Sequence, residues 1–310
     1  MRHFLSLADL TPEQLRDLID LAVELKEEWK QGGNRPLLEG KTLGMIFQKP
    51  SLRTRASFEM GMLHLGGHAL YFSPFEIQLG ERESVADVAR VFSRYVDGIM
   101  ARVFGHHDVV VLAEYSSAPV INGLSDYNHP CQALSDFLTI VENKGEDLRG
   151  RKLAFVGDGN NVATSLLFGA TLMGMDFAIA TPPGYELPEN VWAQGESFAS
   201  ASGSELLATH DPQAAVSEAD VVYTDVWASM GEEEEADERA RVFAPLQVNQ
   251  ALLDRAKSDV IAMHCLPAHR GQEITDAVCD GPHSVLWDQA ENRMHAQKAI
   301  LVELMADEQG

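Results

Sequence analysis

A cluster of hydroxyl and guanidinium groups occupies residues 51–55, whose sequence is SLRTR. The cluster follows an apolar, strand-like run at 42–47 and precedes a run in which Phe58, Met62 and Leu65 have helical spacing. The N-terminus of a helix presents backbone N–H groups and the positive end of the helix dipole, and an arginine fork matches phosphate oxygens. Arginine is normally favoured at the C-terminus of a helix rather than at its start. A solvated first turn without a ligand therefore explains these arginines less well than an anion site does. The spacing therefore predicts an anion site.

Polar side chains also follow five other predicted strands along the chain. Ligands of parallel sheets gather at the carboxyl ends of the strands. The front half of the chain supplies cations and donors there, and the back half supplies carboxylates, amides and a thiol. We therefore expect both sets to line one cleft between two domains. The residues are Arg102, His129, Gln132, Asp158, Asn160, Asn161, Asp225, Ser229, Met230, His264 and Cys265.

Each of these residues also has a purely structural interpretation. His129 could be a satisfied core histidine, Asp225 could cap the segment that follows it, and Cys265 could be an inert buried thiol. The segment 157–162, GDGNNV, resembles a dinucleotide-binding turn, but Val162 stands where a third glycine is expected. The paired asparagines suit a small polar ligand, such as an amino-acid carboxylate, better.

Strand-like and helical runs alternate along the whole chain, with short linkers between them. This order predicts an α/β fold of two domains, each a parallel β-sheet flanked by helices, with the active site in the cleft between them. The polar segment 143–147 predicts a boundary between domains 1–142 and 143–288. The last helix, within 289–310, is expected to pack back on the first domain. We also predict a short strand at 285–286 and a helix with Thr11 as its N-cap, Pro12 at the first helical position and Gln14 at the third, which is the pattern of a capping box.

The composition limits the class of protein. The formal charge is 24 − 47 = −23, which argues against a nucleic-acid partner. No long apolar run predicts a membrane span, and the first residues lack the apolar core of a signal peptide, so we expect a cytoplasmic protein. The cysteines Cys131, Cys265 and Cys279 have no metal-ligand spacing and are odd in number, which favours reduced thiols and no metal site.

Four motifs together resemble the signature set of the aspartate/ornithine carbamoyltransferase family. They are SLRTR at 51–55, HPCQ at 129–132, DVWASMG at 225–231 and HCLP at 264–267. The first two are similar to blocks shared by the aspartate and ornithine members, and the last two resemble the ornithine members specifically. Leu52 departs from the family, which often has threonine there, and Cys131 occupies a variable position. The likeness runs through nearly the whole chain in the same order.

The resemblance implies that carbamoyl phosphate and L-ornithine react to give L-citrulline and phosphate, without a metal or organic cofactor. It implies catalytic roles for Arg102, His129, Asp225 and Cys265. The carbamoyl phosphate ligands that it implies are Ser51, Leu52 through its backbone, Arg53, Thr54, Gln78, Arg102, His129, Gln132, Cys265, Leu266 and Arg293. The implied ornithine ligands are Asn161, Asp225, Ser229 and Met230.

The family likeness also implies a homotrimer, or a multiple of trimers, in which Gln78 reaches the site of a neighbouring subunit. Three other functions stay open at this point. The amine substrate could be putrescine or N-acetylornithine, although putrescine has no carboxylate for the predicted carboxylate site to bind. A nucleotide-binding oxidoreductase is disfavoured by the incomplete glycine pattern, and an inactive binding subunit is disfavoured by the full set of arginines.

Overall fold

The computed structural model describes residues 1–228 and 235–307. The chain forms two compact units, which we call unit 1 (Met1–Leu138 with Asn292–Gly310) and unit 2 (Thr139–Glu291). Each unit contains its own sheet, and all of the strand pairs in both sheets are parallel. The predicted fold class, two parallel-sheet domains flanked by helices, is confirmed. The predicted cleft site and the substrate assigned to each domain stay predictions.

Unit 1 contains a four-stranded sheet with the order β2-β1-β3-β4. Its strands are β1 (Thr42–Phe47), β2 (His68–Phe72), β3 (Gly98–Arg102) and β4 (Val120–Leu124). Its helices are α1 (Pro12–Lys30), α2 (Leu52–His64), α3 (Pro74–Ile77), α4 (Val85–Phe92) and α5 (His106–Tyr115), and α6 (Pro130–Lys144) begins there. Strand β3 is buried along its whole length, as expected of a central parallel strand, and its sequence is apolar up to Arg102 at its carboxyl end.

Unit 2 contains a five-stranded sheet with the order β7-β6-β5-β8-β9. Its strands are β5 (Lys152–Val156), β6 (Asp176–Ala180), β7 (Leu206–Thr209), β8 (Val221–Thr224) and β9 (Ile261–His264). Its helices are α7 (Asn161–Met173), α8 (Glu189–Ser202), α9 (Pro212–Val216), α10 (Ala236–Phe243), α11 (Gln250–Leu253) and α12 (Asp276–Cys279). The last helix, α13 (Leu286–Met305), begins in unit 2 and continues into the residues of unit 1.

Local sequence signals explain where several elements begin. Thr11 forms the predicted capping box of α1: its hydroxyl accepts from the Gln14 N–H at 3.2 Å, and the Gln14 side chain accepts from the Thr11 N–H at 2.9 Å. Ser51 caps α2 in the same way by accepting from the Thr54 N–H at 3.3 Å. The cluster at 51–55 therefore lies at a helix N-terminus, as its sequence predicts.

Two details of the sheets differ from the sequence prediction. The short strand predicted at 285–286 is wrong: Ser284 makes an isolated bridge to Ala262, and α13 begins at Leu286. The buried Val285 joins β9 to α13, since its N–H donates to the Ala262 carbonyl at 3.1 Å and its carbonyl accepts from the Gln289 N–H at 2.8 Å. Strand β7 was not predicted, since it lies at the sheet edge with only partial burial and so lacks an apolar pattern.

The part of α13 that belongs to unit 1 is fixed against α1 and α2. The buried Lys26 ammonium donates to Asn292 Oδ1 at 2.6 Å, which ties α13 to α1. A Cβ atom on Gly61 of α2 would lie 3.4 Å from Lys298 Cγ and 3.6 Å from Leu301 Cδ1, which are ordinary van der Waals distances, so α13 packs directly against this part of α2. Among the described residues, no helix is both long and apolar enough to cross a lipid bilayer.

The sheet of unit 2 is anchored at its amino end by a buried carboxylate. Asp220 is fully buried and accepts from Arg151 Nη1 at 2.9 Å, from Lys257 Nζ at 2.8 Å and from the Lys152 N–H at 2.9 Å. Burial alone would raise the pKa of Asp220, but the Lys257, Lys152 and Arg151 donors outweigh it and lower this pKa below its ordinary value.

We expect Asp220→Asn to lower the free energy of unfolding by about 1.5–3 kcal/mol at neutral pH, because it weakens hydrogen bonds from charged donors. The lowered pKa means that the carboxylate stabilises the fold above its unfolded pKa and that this contribution is lost as the pH falls below about 4. Urea unfolding followed by circular dichroism measures the difference. Asp147→Asn, at an exposed pair with Arg149, is the control. Equal stability of the Asp220 variant and the parent at pH 7 contradicts the anchoring role.

Candidate active site

The capped turn at the start of α2 forms one half of the candidate site. Ser51 has an extended backbone, and its hydroxyl donates to Thr54 Oγ1 at 3.1 Å. Leu52 is 81% exposed, so any contact from this position to a ligand falls to its backbone. The Arg53 side chain has no hydrogen bond or ion pair within the described residues. Arg55 does not join this group, because its guanidinium pairs with Glu59 at 2.9 Å and lies over the Tyr71 ring.

Two buried guanidinium groups converge on the hydroxyl of Thr54. Arg293 Nη2 donates to Thr54 Oγ1 at 2.7 Å, and Arg102 Nη1 donates to the same oxygen at 3.4 Å. Thr54 is fully buried, and the two arginines are 4% and 7% exposed. Arg102 is the last residue of β3, and Arg293 lies in α13, so strand, helix and capped turn meet at one point. Two like charges held this close favour a bound anion.

His129 adds a neutral imidazole beside these cations. Burial lowers the pKa of His129 well below its ordinary value, and the Arg293 and Arg102 charges lower it further. The residues before it are fixed by Asn122, whose amide donates to Asn128 Oδ1 at 2.5 Å. The ring nitrogen that carries the proton in a neutral imidazole can donate one hydrogen bond to a ligand, and this nitrogen accepts none.

Gln132 and Cys131 follow His129 in the first turn of α6. The Gln132 amide nitrogen donates to Asp136 Oδ1 at 2.8 Å, which fixes the orientation of the amide. Its Oε1 atom is buried and, among the described residues, has no hydrogen-bond partner, so it can accept from a ligand N–H. Cys131 Sγ donates to the Asn122 carbonyl, and burial raises the pKa of this thiol to about 12, so Cys131 is structural.

Gln78 stands apart from this cluster in unit 1. It ends α3 in the left-handed backbone region at φ 41°, and its side chain is exposed. No described contact joins Gln78 to Ser51, Thr54 or Arg102. The adjoining loop is held by Gln48, whose amide donates to the Leu79 carbonyl at 3.2 Å.

Asp225 is the centre of the polar cluster in unit 2. Its Oδ1 atom accepts from Cys265 Sγ at 2.9 Å and from the Val226 N–H at 2.8 Å, and its Oδ2 atom accepts from Asn160 Nδ2 at 2.9 Å. Asn160 also caps α7 by accepting from the N–H groups of Val162 and Ala163. The structure thus joins Asp225 to Asn160, whereas Asn161, the predicted ligand, is the first residue of α7. The predicted ligands Ser229 and Met230 lie outside the described residues.

A fully buried pair, His264 and Glu273, supports the loop that carries Cys265. His264 Nδ1 accepts from the Leu266 N–H at 2.8 Å, so the ring proton is on Nε2, which donates to Glu273 Oε1 at 3.1 Å. This bond holds Leu266 in the left-handed region at φ 57°, where a leucine is strained. Glu273 Oε1 also accepts from the His269 N–H. Sequence reasoning missed Glu273, because nothing in the motif HCLP points to a residue further along the chain.

A second supporting residue, Arg239, was also missed by sequence reasoning. Its Nη1 atom donates to Asp158 Oδ2 at 2.8 Å and to the Trp227 carbonyl at 3.0 Å, and the side chain is almost completely buried. Asp158 is therefore engaged in an ion pair that holds the backbone after Asp225. Arg239 lies among acidic residues whose sequence is typical of a solvated surface segment, so the sequence does not predict this role.

The donor atoms of Asp225, His264 and Cys265 lie within 4.8 Å of one another, which is compatible with a metal ion. A carboxylate, an imidazole and a thiolate are typical zinc ligands. Here, however, the Cys265 thiol donates to Asp225, and both ring nitrogens of His264 are hydrogen-bonded to Leu266 and Glu273. A metal would have to break these bonds, so the arrangement fits a polar organic ligand better.

We expect the pKa of His129 to lie below 6.5 in the intact chain, because desolvation and two neighbouring cations disfavour its protonation. Removing one cation by Arg293→Met should raise this pKa, whereas Arg55→Met should not, since Arg55 is turned towards Glu59. The measurement is the pH titration of the assigned His129 ring resonances by NMR. An unshifted titration in Arg293→Met contradicts the proposed electrostatic coupling.

Comparison with known proteins agrees with this geometry. Residues 2–142 match the family model "Aspartate/ornithine carbamoyltransferase, carbamoyl-P binding domain", and residues 149–304 match the model "Aspartate/ornithine carbamoyltransferase, Asp/Orn binding domain". The ornithine carbamoyltransferase of Pyrococcus abyssi is 57% identical over 304 residues, which cover 98% of this chain and 96% of that protein.

Pyrococcus furiosus provides two further matches. Its protein named "Ornithine carbamoyltransferase, anabolic" is 57% identical over 98% of this chain and 96% of its own length. The solved structure of an ornithine carbamoyltransferase from this organism superimposes with a TM-score of 0.95 at 56% identity, covering 98% of this chain and 97% of that one. This chain therefore belongs to the aspartate/ornithine carbamoyltransferase family.

Proposed function

We propose that this chain transfers the carbamoyl group of carbamoyl phosphate to the side-chain amine of L-ornithine, giving L-citrulline and phosphate. The observation that carries the proposal is the 57% identity, over almost the full length, to proteins named ornithine carbamoyltransferase. The two polar clusters support it chemically, since one suits a small dianion and the other suits a zwitterionic amino acid. The name of the P. furiosus relative favours the direction of citrulline synthesis.

In this proposal the unit 1 cluster holds carbamoyl phosphate. Ser51, Arg53, Thr54 and Arg293 bind the phosphate, together with the backbone N–H of Leu52. Arg102 and the neutral His129 donate to the carbonyl oxygen, where negative charge develops when the amine attacks. The free Oε1 atom of Gln132 accepts from the carbamoyl N–H. Because the donors are fixed by the fold, they need little reorganisation during the reaction.

The unit 2 cluster holds ornithine in the same proposal. Asn161 binds the α-carboxylate, Asp225 binds the α-ammonium, and Ser229 and Met230 cover the substrate. Cys265 orients the attacking amine, and the backbone at Leu266 and Cys265 contacts the carbamoyl group. The buried pair His264 and Glu273 keeps this strained loop in place.

The chemistry requires the side-chain ammonium of ornithine to lose one proton before it attacks, since an ammonium has no lone pair. A free amine of this type has a pKa of about 10.4, so binding among cations and away from water must lower it. The nitrogen then bonds to the carbonyl carbon, the bond from that carbon to the phosphate oxygen breaks, and the departing phosphate takes the second proton. Holding both reactants in line can contribute roughly 7–11 kcal/mol.

An assay of ureido products tests the function directly. The protein is incubated with carbamoyl phosphate and, separately, with L-ornithine, N-acetylornithine or putrescine. We expect citrulline from ornithine and little product from the others, because only ornithine carries both α-groups. Turnover of putrescine or N-acetylornithine, but not of ornithine, would contradict the proposed amine substrate and would still be consistent with the family. The oxidoreductase alternative requires a change in nicotinamide absorbance. It is disfavoured because Asn160 already occupies the N–H groups at the start of α7.

Arg53→Ala should raise the KM for carbamoyl phosphate at least tenfold and change the KM for ornithine much less. The reason is that its guanidinium, which has no partner among the described residues, is expected to bind the phosphate. Steady-state kinetics with each substrate varied in turn measures the split. The matched control is Arg55→Ala, two positions along the same helix. An equal loss for both substrates contradicts a phosphate role.

Cys265→Ala should mainly impair the use of ornithine, because the thiol donates to Asp225 beside the proposed amine position. We expect kcat to fall by about 10- to 100-fold with a raised KM for ornithine, while the KM for carbamoyl phosphate changes less. Cys131→Ala, at the structural buried thiol, is the control. An unaltered ornithine profile in Cys265→Ala removes this residue from the site.

We also propose that the active species is a homotrimer or a multiple of trimers. Apolar side chains on α2, on the edge strand β2 and on α3 are exposed, including Leu63 at 62%, Leu70 at 47% and Phe75 at 90%. A second copy of the chain would cover this face and place the exposed Gln78 near a neighbouring carbamoyl phosphate. The predicted cytoplasmic location and the lack of a nucleic-acid partner stay predictions.

Mixing two impaired variants, assayed at a carbamoyl phosphate concentration too low for either variant alone, tests this sharing. Trimers reassembled from Arg53→Ala and Gln78→Ala chains should recover part of the activity, since some sites then take Arg53 from one chain and Gln78 from its neighbour. Mixtures of Arg53→Ala with Arg102→Ala should recover none, because both residues belong to the same unit 1 cluster. Sedimentation velocity gives the oligomer size. A monomeric active protein, or no recovery in the first mixture, contradicts the proposal.

A further inference from the structure

A groove separate from the Asp225 cluster lies in unit 2, at the carboxyl ends of β6 and β7 and beside α8. Its volume is about 600 Å³, which is large enough for a small organic molecule. The apolar part of its wall consists of Ile179, Leu187, Trp192, Ala193 and Ala208. Asp225 follows β8, which lies on the other side of β5 from β6 and β7. No residue of the Asp225 cluster lines this groove.

The charged groups of this groove are almost all acidic. Glu186, Glu189 and Glu196 line it, with His210 as the fourth titratable group, and no lysine or arginine is among the described lining residues. His210 Nδ1 donates to the Thr181 carbonyl at 2.8 Å, and its Nε2 lies 3.7 Å from Glu186 Oε1. The backbone N–H groups of Glu186 and Gly184 lower the pKa of Glu186, so this carboxylate is ionised at neutral pH.

The hydroxyl of a largely buried residue, Thr181, also lines the groove. Thr181 is only 3% exposed, and its hydroxyl has no hydrogen-bond partner within residues 1–228 and 235–307. The oxygen itself retains some exposed surface, so it is accessible from the groove. Thr181 thus offers a hydrogen bond to a molecule in the groove, independently of the carboxylates.

The orientation of the indole of Trp192 is fixed within the groove. Its Nε1–H donates to Glu196 Oε1 at 3.0 Å, which holds the ring and one carboxylate together. An aromatic ring beside a carboxylate is suited to a cation, which gains from the ring quadrupole and from the negative charge. The same ring and the neighbouring Leu187 can pack against an aliphatic chain.

We propose that this groove binds a small organic cation in which a guanidinium or primary ammonium group is attached to an aliphatic stem. The head group lies between Glu189, Glu196 and the Trp192 ring, and it donates to the carboxylates. The stem packs on Leu187, Ile179 and Ala193, and the Thr181 hydroxyl accepts from a second N–H of the ligand. The excess of carboxylates excludes phosphate-bearing nucleotides from this position. The proposal does not depend on the carbamoyl-transfer function.

Isothermal titration calorimetry of the intact protein with n-butylguanidinium tests the proposal. n-Butylurea, which has almost the same shape without the charge, is the paired probe. We expect n-butylguanidinium to bind and n-butylurea to bind at least tenfold more weakly. The double variant Glu189→Gln/Glu196→Gln should weaken n-butylguanidinium binding at least tenfold, and Thr181→Val should weaken it by a smaller factor. Glu205→Gln, at the opposite end of β7, should leave it unchanged.

Three results overturn the proposal. The first is equal binding of n-butylurea, which means that the groove selects only apolar shape. The second is n-butylguanidinium binding that the double variant does not change, which places the ligand elsewhere, for example at the Asp225 cluster. The third is no binding at millimolar concentration. Unfolding temperatures of the variants within about 2 °C of the parent show that any loss of binding is not a loss of folding.

Discussion

The proposed chemistry of this protein depends on one hydroxyl group that gathers two buried positive charges. Thr54 Oγ1 accepts from Arg293 and Arg102, which reach it from a helix and from a strand end. Guanidinium groups repel each other when water is removed, and the bonds to Thr54 help the fold to keep them together. A phosphate that enters this cluster receives their charge without waiting for side chains to move. Burial lowers the pKa of the nearby His129, and the charges of Arg293 and Arg102 lower it further, so the imidazole stays neutral and suits a donor to a developing oxyanion.

In unit 2 a network of hydrogen bonds around Asp225, supported by the ion pair between Arg239 and Asp158, fixes the polar groups of the candidate site. Asp225 receives the Cys265 thiol, the Asn160 amide and a backbone N–H, so the positions of the carboxylate and the thiol are linked. The supports lie deeper: Glu273 orients His264, which holds Leu266, and Arg239 joins Asp158 to the backbone after Asp225. These buried partners set the geometry of the groups that would touch a substrate.

The sequence predicts the class of fold and most of the chemistry-bearing residues, because strand ends and helix starts leave strong local signals. SLRTR at a helix start and Arg102 at a strand end are readable from apolar periodicity alone. The supporting residues are not, because Arg239 and Glu273 act through contacts formed only when distant segments pack. Asn160, rather than the adjacent Asn161, caps α7 and donates to Asp225. The sequence does not reveal which of the two does so, because this depends on the direction of the backbone. Strand β7 is missed because an edge strand needs little apolar sequence.

The bond between Arg293 and Thr54 joins residues that are 239 positions apart in the chain. During synthesis at about 5–20 residues per second, Arg293 is added roughly 10–50 seconds after Thr54. Until Arg293 has been added, a nascent chain therefore carries the capped turn of α2 and Arg102 without the guanidinium that completes the cluster. The anion site gains its full charge only after α13 has been synthesised, so a product truncated before this helix would hold phosphate poorly.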